Sequence, residues 1–519
     1  MLVAPWHLLV AFVSVAAPLR AAHGQPPLPS PLSTSSQDEP IATSRHAVTL
    51  DGRTLRYTAR AGRVPIRDNE AGEVHGQMFF VSYTLDRVAG TAPRPLTFVW
   101  NGGPGSNSAL VHLIGFGPKR IAPPRGASAS DGTRWVVEPN PGTWLDETDL
   151  VFVDPIGTGY SRPTRADYAG EFYQNRGDAE SVAEFIRVYR TRYDAFDAPL
   201  FLAGESFGVT RAAGVADALE SRGTEVRGII LMGLALPLGS ASNVTRVALG
   251  LPSQTVAAFT HRRLAPELQR DMAATVKQVE SWAATDYARA LARRDSLSPA
   301  ERDSVTRALS RFTGLAASLI DQRTLAVEDM QFATQLLRGE GKFVGLYDTR
   351  RLGPLDTTDA PYDPTKDPSL LNLLDEVTVL RYLRDELGYR NDLKYQGPFG
   401  GGYPPPTTFR GDWMSTKWRW APADTAPATQ SPQQPLESAM RANPSLRVLI
   451  GCGIYDLVCD YFGNVWRASH LDASLARNVV ARSYPGGHAM YTDPRAHLEL
   501  KRDVVQFIRD AVALSARPR

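Results

Sequence analysis

Five runs of apolar residues constrain the fold of this chain more than any other feature of its sequence. Each run ends at a glycine or proline or shortly before one, and the runs lie at 95–100, 149–155, 199–204, 226–233 and 446–453. Strands buried on both faces read as continuous apolar runs, and amphipathic helical patterns such as residues 178–193 lie between them. The sequence therefore predicts an α/β fold, with a mainly parallel sheet and helices on both of its faces.

The segments around these runs define the domain organisation. From residue 46 onward, short β-type runs between glycine turns predict β-hairpins. Much of the segment 241–430 has helical periodicity and few glycines, and sheet character returns after it. We therefore predict a core in two parts, 45–240 and 431–519, which a helical insertion at 241–430 interrupts.

The N-terminal residues have the composition of an export signal. Residues 1–24 combine a short apolar run with small residues at its end, although Lys and Arg are absent ahead of that run. The Pro- and Ser-rich residues 25–44 predict a disordered linker. We therefore expect a signal peptide at 1–24 and a secreted or periplasmic protein, with no membrane-spanning segment further along the chain.

Composition weighs against several partners and cofactors. The 519 residues carry a formal net charge of +2, which is too small to favour nucleic acid or an anionic membrane as a partner. Without a Cys/His cluster of metal-binding spacing or a glycine-rich phosphate loop, neither a metal nor a cofactor is expected. Cys452 and Cys459 are expected to be free thiols, with a disulfide between them as the alternative. The oligomeric state is left open.

Residues 204–208 read Gly-Glu-Ser-Phe-Gly and end one of the predicted strands. This G-x-S-x-G pattern is typical of a serine on a sharp turn between a strand and a helix. A serine hydroxyl is a weak nucleophile at neutral pH and needs a base, usually a histidine that a carboxylate orients. Ser206 is therefore a candidate nucleophile if a matching base and acid exist elsewhere in the chain.

His488 and Asp456 are the candidates for that base and acid, because each lies just past an apolar strand-like run. Taken alone, His488 is typical of a loop histidine and Asp456 of a turn carboxylate. Together with Ser206 they follow in the order Ser, Asp, His, which is the order of the α/β-hydrolase fold. The shared position after strands favours a catalytic triad of the three residues.

An enzyme that transfers acyl groups also needs backbone N–H groups that face the developing oxyanion. The glycine-rich residues 100–108 follow the first apolar run, where such a loop belongs. We predict that the amides of Gly103 and of Phe207, the residue after the nucleophile, form the oxyanion hole. A simple tight turn is the alternative interpretation of these glycines.

Five segments, in order, resemble those of the serine carboxypeptidase family: WNGGPGSNS at 100–108, DPIGTGYS at 154–161, GESFG at 204–208, YDLVCDYFGN at 455–464 and GGHAMYTDP at 486–494. The resemblance implies an α/β-hydrolase fold with a helical lid at 241–430. It implies an acyl-enzyme mechanism that removes C-terminal residues from peptide substrates with a free C-terminus. It also implies that Asn101 and Glu205 hold the substrate carboxylate, which requires one of the two carboxyl groups to be protonated.

Two positions depart from the family pattern. Gly115 stands where well-studied eukaryotic members have a second glutamate, so the carboxylate-binding pair is incomplete, and Lys119 or Arg120 is an alternative source of charge. Ser106 stands where those members have a disulfide cysteine. The difference at Gly115 keeps a second interpretation open, an esterase or acyltransferase on the same scaffold. A catalytically inactive binding protein is the third, although all three triad residues are present.

Overall fold

The computed structural model describes residues 39–88, 90–123, 135–233, 243–355, 366–371, 373–397, 417–419 and 433–515. The predicted signal peptide at 1–24 and most of the predicted linker at 25–44 lie outside these ranges. The end of that linker is not as predicted, because strand β1 begins at Ala42 and residues 42–44 pair with residues 59–61 of the next strand. The backbone hydrogen bonds of this ladder draw the end of the predicted linker into the sheet.

Most of the described strands form one large sheet. In chain order the strands are β1 (Ala42–Leu50), β2 (Arg53–Arg67), β3 (Val74–Leu85), β4 (Leu96–Trp100), β5 (Lys119–Ala122), β6 (Val136–Pro139), β7 (Asp149–Asp154), β8 (Arg162–Pro163), β9 (Leu200–Glu205), β10 (Gly228–Met232), β11 (Lys342–Val344), β12 (Leu352–Pro354), β13 (Arg447–Gly453) and β14 (Val479–Tyr484). Neighbours in the large sheet follow the order β1-β2-β3-β7-β4-β9-β10-β13-β14. The pairs from β1 to β7 are antiparallel, and every pair from β7 to β14 is parallel. The predicted hairpins and the predicted mainly parallel sheet are both present.

Helices cover both faces of this sheet. The described α-helices are α1 (Ala169–Phe172), α2 (Asn175–Arg192), α3 (Gly208–Glu220), α4 (Asn243–Thr260), α5 (Met272–Trp282), α6 (Ala288–Ala292), α7 (Pro299–Thr313), α8 (Asp329–Gln335), α9 (Glu376–Arg381), α10 (Gln433–Ala442), α11 (Tyr461–Ser469), α12 (Ala473–Ala476) and α13 (Pro494–Ser515). On β10, Ile229 and Leu231 pack into a cluster with α2, α3 and α10, whereas Ile230 and Met232 pack into another with α13. Since successive side chains of a strand point to opposite faces, the two clusters lie on opposite sides of the sheet. The predicted α/β arrangement is confirmed.

The helices from α4 to α8 contribute most of a third hydrophobic cluster, which includes Leu251, Tyr287, Leu309 and Phe332 and also Leu457, which follows β13. They lie in the chain between β10 and β13, inside the segment predicted to be a helical insertion. Their role as a lid stays a prediction. Across the ranges given above, no helix combines the length and the apolarity that crossing a membrane requires.

Candidate active site

Ser206 lies on a sharp turn between β9 and α3. Its φ angle is 56°, in the left-handed region that few residues other than glycine adopt. Its amide donates a 2.8 Å hydrogen bond to the carbonyl of Met232, at the end of the neighbouring strand β10. The flanking glycines permit the turn, because an added Cβ on Gly204 would overlap the Gly208 carbonyl, and one on Gly208 would lie 2.9 Å from Trp100. The G-x-S-x-G pattern therefore forms a strand, a sharp turn and a helix.

His488 and Asp456 lie together on the loops that follow β14 and β13. The His488 Nδ1 and Asp456 Oδ2 atoms are 2.8 Å apart, and both side chains are buried. The other Asp456 oxygen accepts a 2.8 Å hydrogen bond from the Val458 amide. The His488 amide donates a 2.6 Å bond to the Tyr347 carbonyl. These bonds hold the carboxylate and the imidazole in a defined relative position.

Ser206 and His488 both approach the end of β10. Ser206 bonds to Met232, and the next residue, Gly233, would place an added Cβ 3.3 Å from Cε1 of His488. The His488 Nε2 atom is buried, and no residue of the described part of the chain hydrogen-bonds to it. The structure thus brings the three predicted triad residues to one edge of the sheet. Because Nδ1 faces Asp456, Nε2 is the atom left for a further partner.

Burial and charge act in opposite directions on the pKa of His488. Burial alone would lower this pKa, but the Asp456 carboxylate and, less strongly, Glu205 raise it above its ordinary value. Burial raises the pKa of Asp456, and the contact with His488 opposes that increase. The carboxylate therefore stabilises a charged imidazole, as a general base requires once it has accepted a proton.

The glycine-rich loop after β4 packs directly on the turn after β9. An added Cβ on Gly102 would lie 2.6 Å from the Glu205 carbonyl oxygen and 2.8 Å from the Gly208 amide, and it would overlap the Phe207 amide. Gly103 follows with a φ of 106°, a backbone conformation that favours glycine. The loop therefore places Gly102, the residue before Gly103, against the Phe207 amide. Their assignment to an oxyanion hole stays a prediction.

Asn101 and Glu205 are joined by a hydrogen bond between their side chains. Asn101 Nδ2 donates to Glu205 Oε2, and Asn101 Oδ1 accepts a 3.1 Å bond from the Val111 amide. The Asn101 carbonyl accepts a 2.6 Å bond from Arg211, whose guanidinium also donates a 2.7 Å bond to the buried Asp178. Burial raises the pKa of Glu205 to about 7. The two residues predicted to hold a substrate carboxylate therefore form one buried unit.

Gly115 has space for a small side chain. An added Cβ would meet the Tyr491 ring at 3.5 Å, which is an ordinary van der Waals distance. Tyr491 is buried, and burial together with the nearby Glu205 raises the pKa of its hydroxyl well above the usual value. A longer side chain at Gly115 would thus project toward an aromatic ring that lies near Glu205.

Both cations that the sequence offered as alternatives are engaged in ion pairs. Lys119 pairs with Glu386, and Arg120 lies 2.7 Å from Glu138. Each charge is therefore compensated by a carboxylate of the same chain. This pairing weighs against the alternative that one of the two binds the substrate carboxylate.

Cys452 and Cys459 form a disulfide, so the expectation of two free thiols is also wrong. The turn after β13 brings their Cα atoms to 6.2 Å, within the range that a disulfide requires. Asn464 Nδ2 contacts both sulfur atoms, at 3.0 and 3.3 Å. Asp456 lies inside the ring of residues that this bond closes.

A group of potential metal ligands lies away from this site, at the turn between β2 and β3. The ligand atoms of Asp68, Glu73 and His75 lie within 4.8 Å of one another. Asp68 accepts four hydrogen bonds from the backbone of the turn, and His75 Nδ1 lies 2.8 Å from Glu171 Oε2. These contacts account for the group as a hydrogen-bonded turn, and we assign no metal site to it.

The loop between β11 and β12 forms one wall of the cavity beside Glu205 and His488. Tyr347, Asp348 and Arg351 line the cavity from this loop. The Tyr347 ring packs edge-on against the His488 ring, with 5.1 Å between their centroids. These wall residues could not be predicted from the sequence, because they lie inside the insertion and no motif marks them.

Comparison with known families identifies the chain. The profile of the serine carboxypeptidase family matches residues 56–314, about half of the chain. The chain belongs to the serine carboxypeptidase family. The matched region of this serine carboxypeptidase contains Asn101, Glu205 and Ser206, and it ends before Asp456 and His488.

Curated relatives match shorter stretches of this serine carboxypeptidase. The pheromone-processing carboxypeptidase KEX1 of Yarrowia lipolytica is 32% identical over 192 residues, which are 36% of this chain and 28% of the relative. The protein of the same name from Sclerotinia sclerotiorum is 30% identical over 138 residues, 26% of this chain and 20% of the relative. The chain thus spans only a fifth to just over a quarter of the length of these relatives.

A solved structure also resembles this serine carboxypeptidase. The crystal structure of KEX1(delta)p, a prohormone-processing carboxypeptidase from Saccharomyces cerevisiae, has a TM-score of 0.51 and a sequence identity of 17%. The alignment covers 88% of this chain and 92% of that one. The likeness shows that the chain has the predicted α/β-hydrolase fold.

Proposed function

We propose that the protein is an exported serine carboxypeptidase, which removes C-terminal residues from peptides through an acyl-enzyme. The observation that carries this proposal is the buried His488–Asp456 pair, which lies at the same sheet edge as Ser206. Family membership supports the reaction class. Since the matches cover a small part of the curated relatives, the activity and the substrates are proposed from the site of this chain.

In the proposed mechanism, Ser206 attacks the scissile carbonyl carbon while His488 Nε2 takes its proton. Asp456 holds the imidazole through Nδ1 and stabilises its charged form. The Gly103 and Phe207 amides donate hydrogen bonds to the oxyanion of the tetrahedral intermediate. His488 then gives its proton to the leaving amine, and water hydrolyses the acyl-enzyme by the same steps.

Asn101 and Glu205 are proposed to bind the C-terminal carboxylate of the substrate. A protonated Glu205 donates a hydrogen bond to that carboxylate, whereas an ionised Glu205 repels it. A pKa of about 7 leaves Glu205 mainly protonated in acidic solution. Asn101 supports this role, because its side chain is already bonded to Glu205 and held by the Val111 amide.

We further propose that helices α4–α8 belong to a lid over the site. The cluster that they mainly form is distinct from the two clusters on the faces of the sheet, which supports a unit added to the core. The β11–β12 loop, which follows them in the chain, contributes Tyr347 to the wall beside His488. The disulfide between Cys452 and Cys459 supports export, because such bonds persist in oxidising compartments.

An esterase or acyltransferase on the same scaffold is the second candidate. Gly115 favours it, because no carboxyl group at this position complements Glu205 in binding a terminal carboxylate. Its expected signature is equal turnover of substrates with and without that carboxylate.

The deciding experiment measures hydrolysis of a blocked dipeptide with a free C-terminal carboxylate and of the matching C-terminal amide, between about pH 4 and about pH 8, a range that includes the Glu205 pKa of about 7. Ser206→Ala is the control in every assay. A Ser206-dependent preference for the free acid supports the carboxypeptidase. Equal rates, or turnover of simple esters alone, support the second candidate, and no Ser206-dependent turnover points to a binding protein.

A further inference from the structure

Arg351 carries a charge that no described residue compensates. It lines the cavity that holds Glu205 and His488, and it also lines the adjoining groove. Within the described ranges, its guanidinium has neither an ion pair nor a hydrogen bond, whereas that of the preceding Arg350 lies 2.8 Å from both Asp348 and Asp493. Free guanidinium donors that border a catalytic cleft suit the binding of an anion.

The backbone holds Arg351 in a fixed relation to the site. Its amide donates a 2.9 Å bond to the Asp348 carbonyl, and its carbonyl accepts a 2.9 Å bond from the Gly345 amide. In the same loop, the Tyr347 carbonyl accepts a 2.6 Å hydrogen bond from the His488 amide. The loop that presents Arg351 is thus bonded directly to the loop that presents the candidate base.

The charged side chains that line the groove beyond Arg351 are all arginines among the described residues. This lining contains Arg120, Arg350 and Arg351 and no aspartate or glutamate. Arg120 pairs with Glu138, and Arg350 with Asp348 and Asp493, so both of these charges are compensated outside the lining. Apolar residues such as Ile114 and Trp135 supply much of the remaining surface. This groove favours a substrate group that is negatively charged and partly apolar.

We propose that Arg351 is a specificity-determining residue, which binds a carboxylate of the substrate with its guanidinium. This inference rests on the proposed carboxypeptidase function and names a group that would recognise the substrate. The carboxylate that it binds is either the C-terminal carboxylate itself or the acidic side chain of a C-terminal Asp or Glu.

The test compares the wild type with Arg351→Gln, Arg351→Lys and Arg323→Gln. Arg323 is the matched control, because its side chain is 88% exposed and lines neither cavity. Two substrate pairs separate the sources: blocked Phe-Leu against its C-terminal amide, and blocked Phe-Glu against blocked Phe-Gln. Thermal denaturation of each variant establishes that it is folded.

We expect Arg351→Gln to reduce one of the two preferences roughly tenfold, mainly through KM, as the loss of a hydrogen bond to a charged group does. A fall in the acid-to-amide ratio assigns the terminal carboxylate, and a fall in the Glu-to-Gln ratio assigns the side chain. Arg351→Lys should restore part of the effect, because it keeps the charge and loses the forked donors. If both ratios match those of Arg323→Gln, the proposal is wrong.

Binding measurements separate this proposal from the proposed function. Calorimetric titration of Ser206→Ala protein with the same four peptides needs no turnover. If hydrolysis fails but Ser206→Ala prefers a carboxylate and Ser206→Ala/Arg351→Gln does not, the binding role of Arg351 stands without the peptidase. If the two proteins show the same preference for the carboxylate peptides over their neutral counterparts, Arg351 has no such role, whatever the enzyme hydrolyses.

Discussion

The side-chain amide of Asn101 donates a hydrogen bond to the carboxyl group of Glu205, and both residues are buried directly beside Ser206. Burial, reinforced by the negative charge of Asp456, raises the pKa of Glu205 to about 7, while His488 and Asn101 oppose the increase. Near neutral pH the residue therefore changes from a hydrogen-bond donor to an anion. This change makes recognition of a negatively charged substrate dependent on pH.

The first prediction follows from the direction in which the charge of Glu205 changes with pH. Below about pH 7 Glu205 is protonated and favours a free-acid peptide, and above it the ionised group repels the same peptide. The ratio of kcat/KM for the free acid to that for the amide should therefore fall as the pH rises through 7. Taking the ratio removes the titration of His488, which affects both substrates alike.

Glu205→Gln is the control for that experiment, because glutamine is a neutral donor at every pH. Its acid-to-amide ratio should stay constant from about pH 4 to about pH 8 (roughly four units above ordinary carboxyl titration at the upper end). A ratio that falls with pH in this variant as steeply as in the wild type would assign the titration to another group.

The second prediction concerns Asp456, the carboxylate proposed to orient the base His488. Asp456→Asn should lower kcat by roughly four orders of magnitude and change KM little, because the wrong imidazole tautomer is then stabilised. The Asp456 charge also raises the pKa of His488, so the acid limb of the pH profile should move to lower pH. Steady-state kinetics on the amide substrate measure both effects. Asp295→Asn, at a side chain that is 96% exposed, should retain wild-type values, and a comparable loss there would contradict the assignment.

The third prediction contrasts two glycines of the site. Gly102→Ala would force a methyl group into the backbone of Phe207 and within 2.6 Å of the Glu205 carbonyl oxygen. We expect it to destabilise the protein by roughly 1–3 kcal/mol and to reduce kcat sharply, because the glycine-rich loop proposed to form the oxyanion hole must move. In Gly115→Ala the added methyl group makes only ordinary contacts, the nearest at 3.5 Å. This change should alter neither the stability nor kcat much. Denaturant unfolding and ester hydrolysis provide the measurements, and equal effects of the two changes would refute the packing argument.

The fourth prediction concerns the disulfide. Replacing Cys452 and Cys459 by serine should lower the free energy of unfolding by about 2 kcal/mol, as expected for a short closed loop. Turnover should fall as well, because Asp456 lies within that loop. Reductant should lower the unfolding midpoint of the wild type and leave that of the double variant unchanged. A wild-type midpoint that does not respond to a reductant able to reach the bond would show that the disulfide contributes nothing.

Sequence patterns predicted the parts of this molecule that depend on residues close together in the chain. The apolar runs become β4, β7, β9, β10 and β13 because strands buried on both faces need continuous apolar residues. Ser206, Asp456 and His488 could be found because each follows a strand, and the carboxyl ends of parallel strands share one edge of the sheet. Their assignment to catalysis still depends on the experiments above.

The residues that the sequence did not reveal depend on contacts between distant segments. Tyr347 reaches the site because the His488 amide bonds to its carbonyl, and Thr349 is held by the Tyr455 carbonyl. The residues next to Arg351 in the sequence contain no motif that would indicate either hydrogen bond. The Cys452–Cys459 pairing likewise depends on the path of the turn between them, which spacing alone does not determine.

The position of β14 at the end of the sheet order bears on when the proposed triad can assemble during synthesis. The Ser206 amide bonds to Met232, so its turn can be complete once β10 has been made, but His488 follows β14, the last described strand in chain order. The helices α4–α8 and the β11–β12 loop emerge between these two events, so Tyr347 and Arg351, which line the cavity, are made before His488. A growing chain thus carries Ser206 without its proposed base for as long as synthesis takes to pass from β10 to β14.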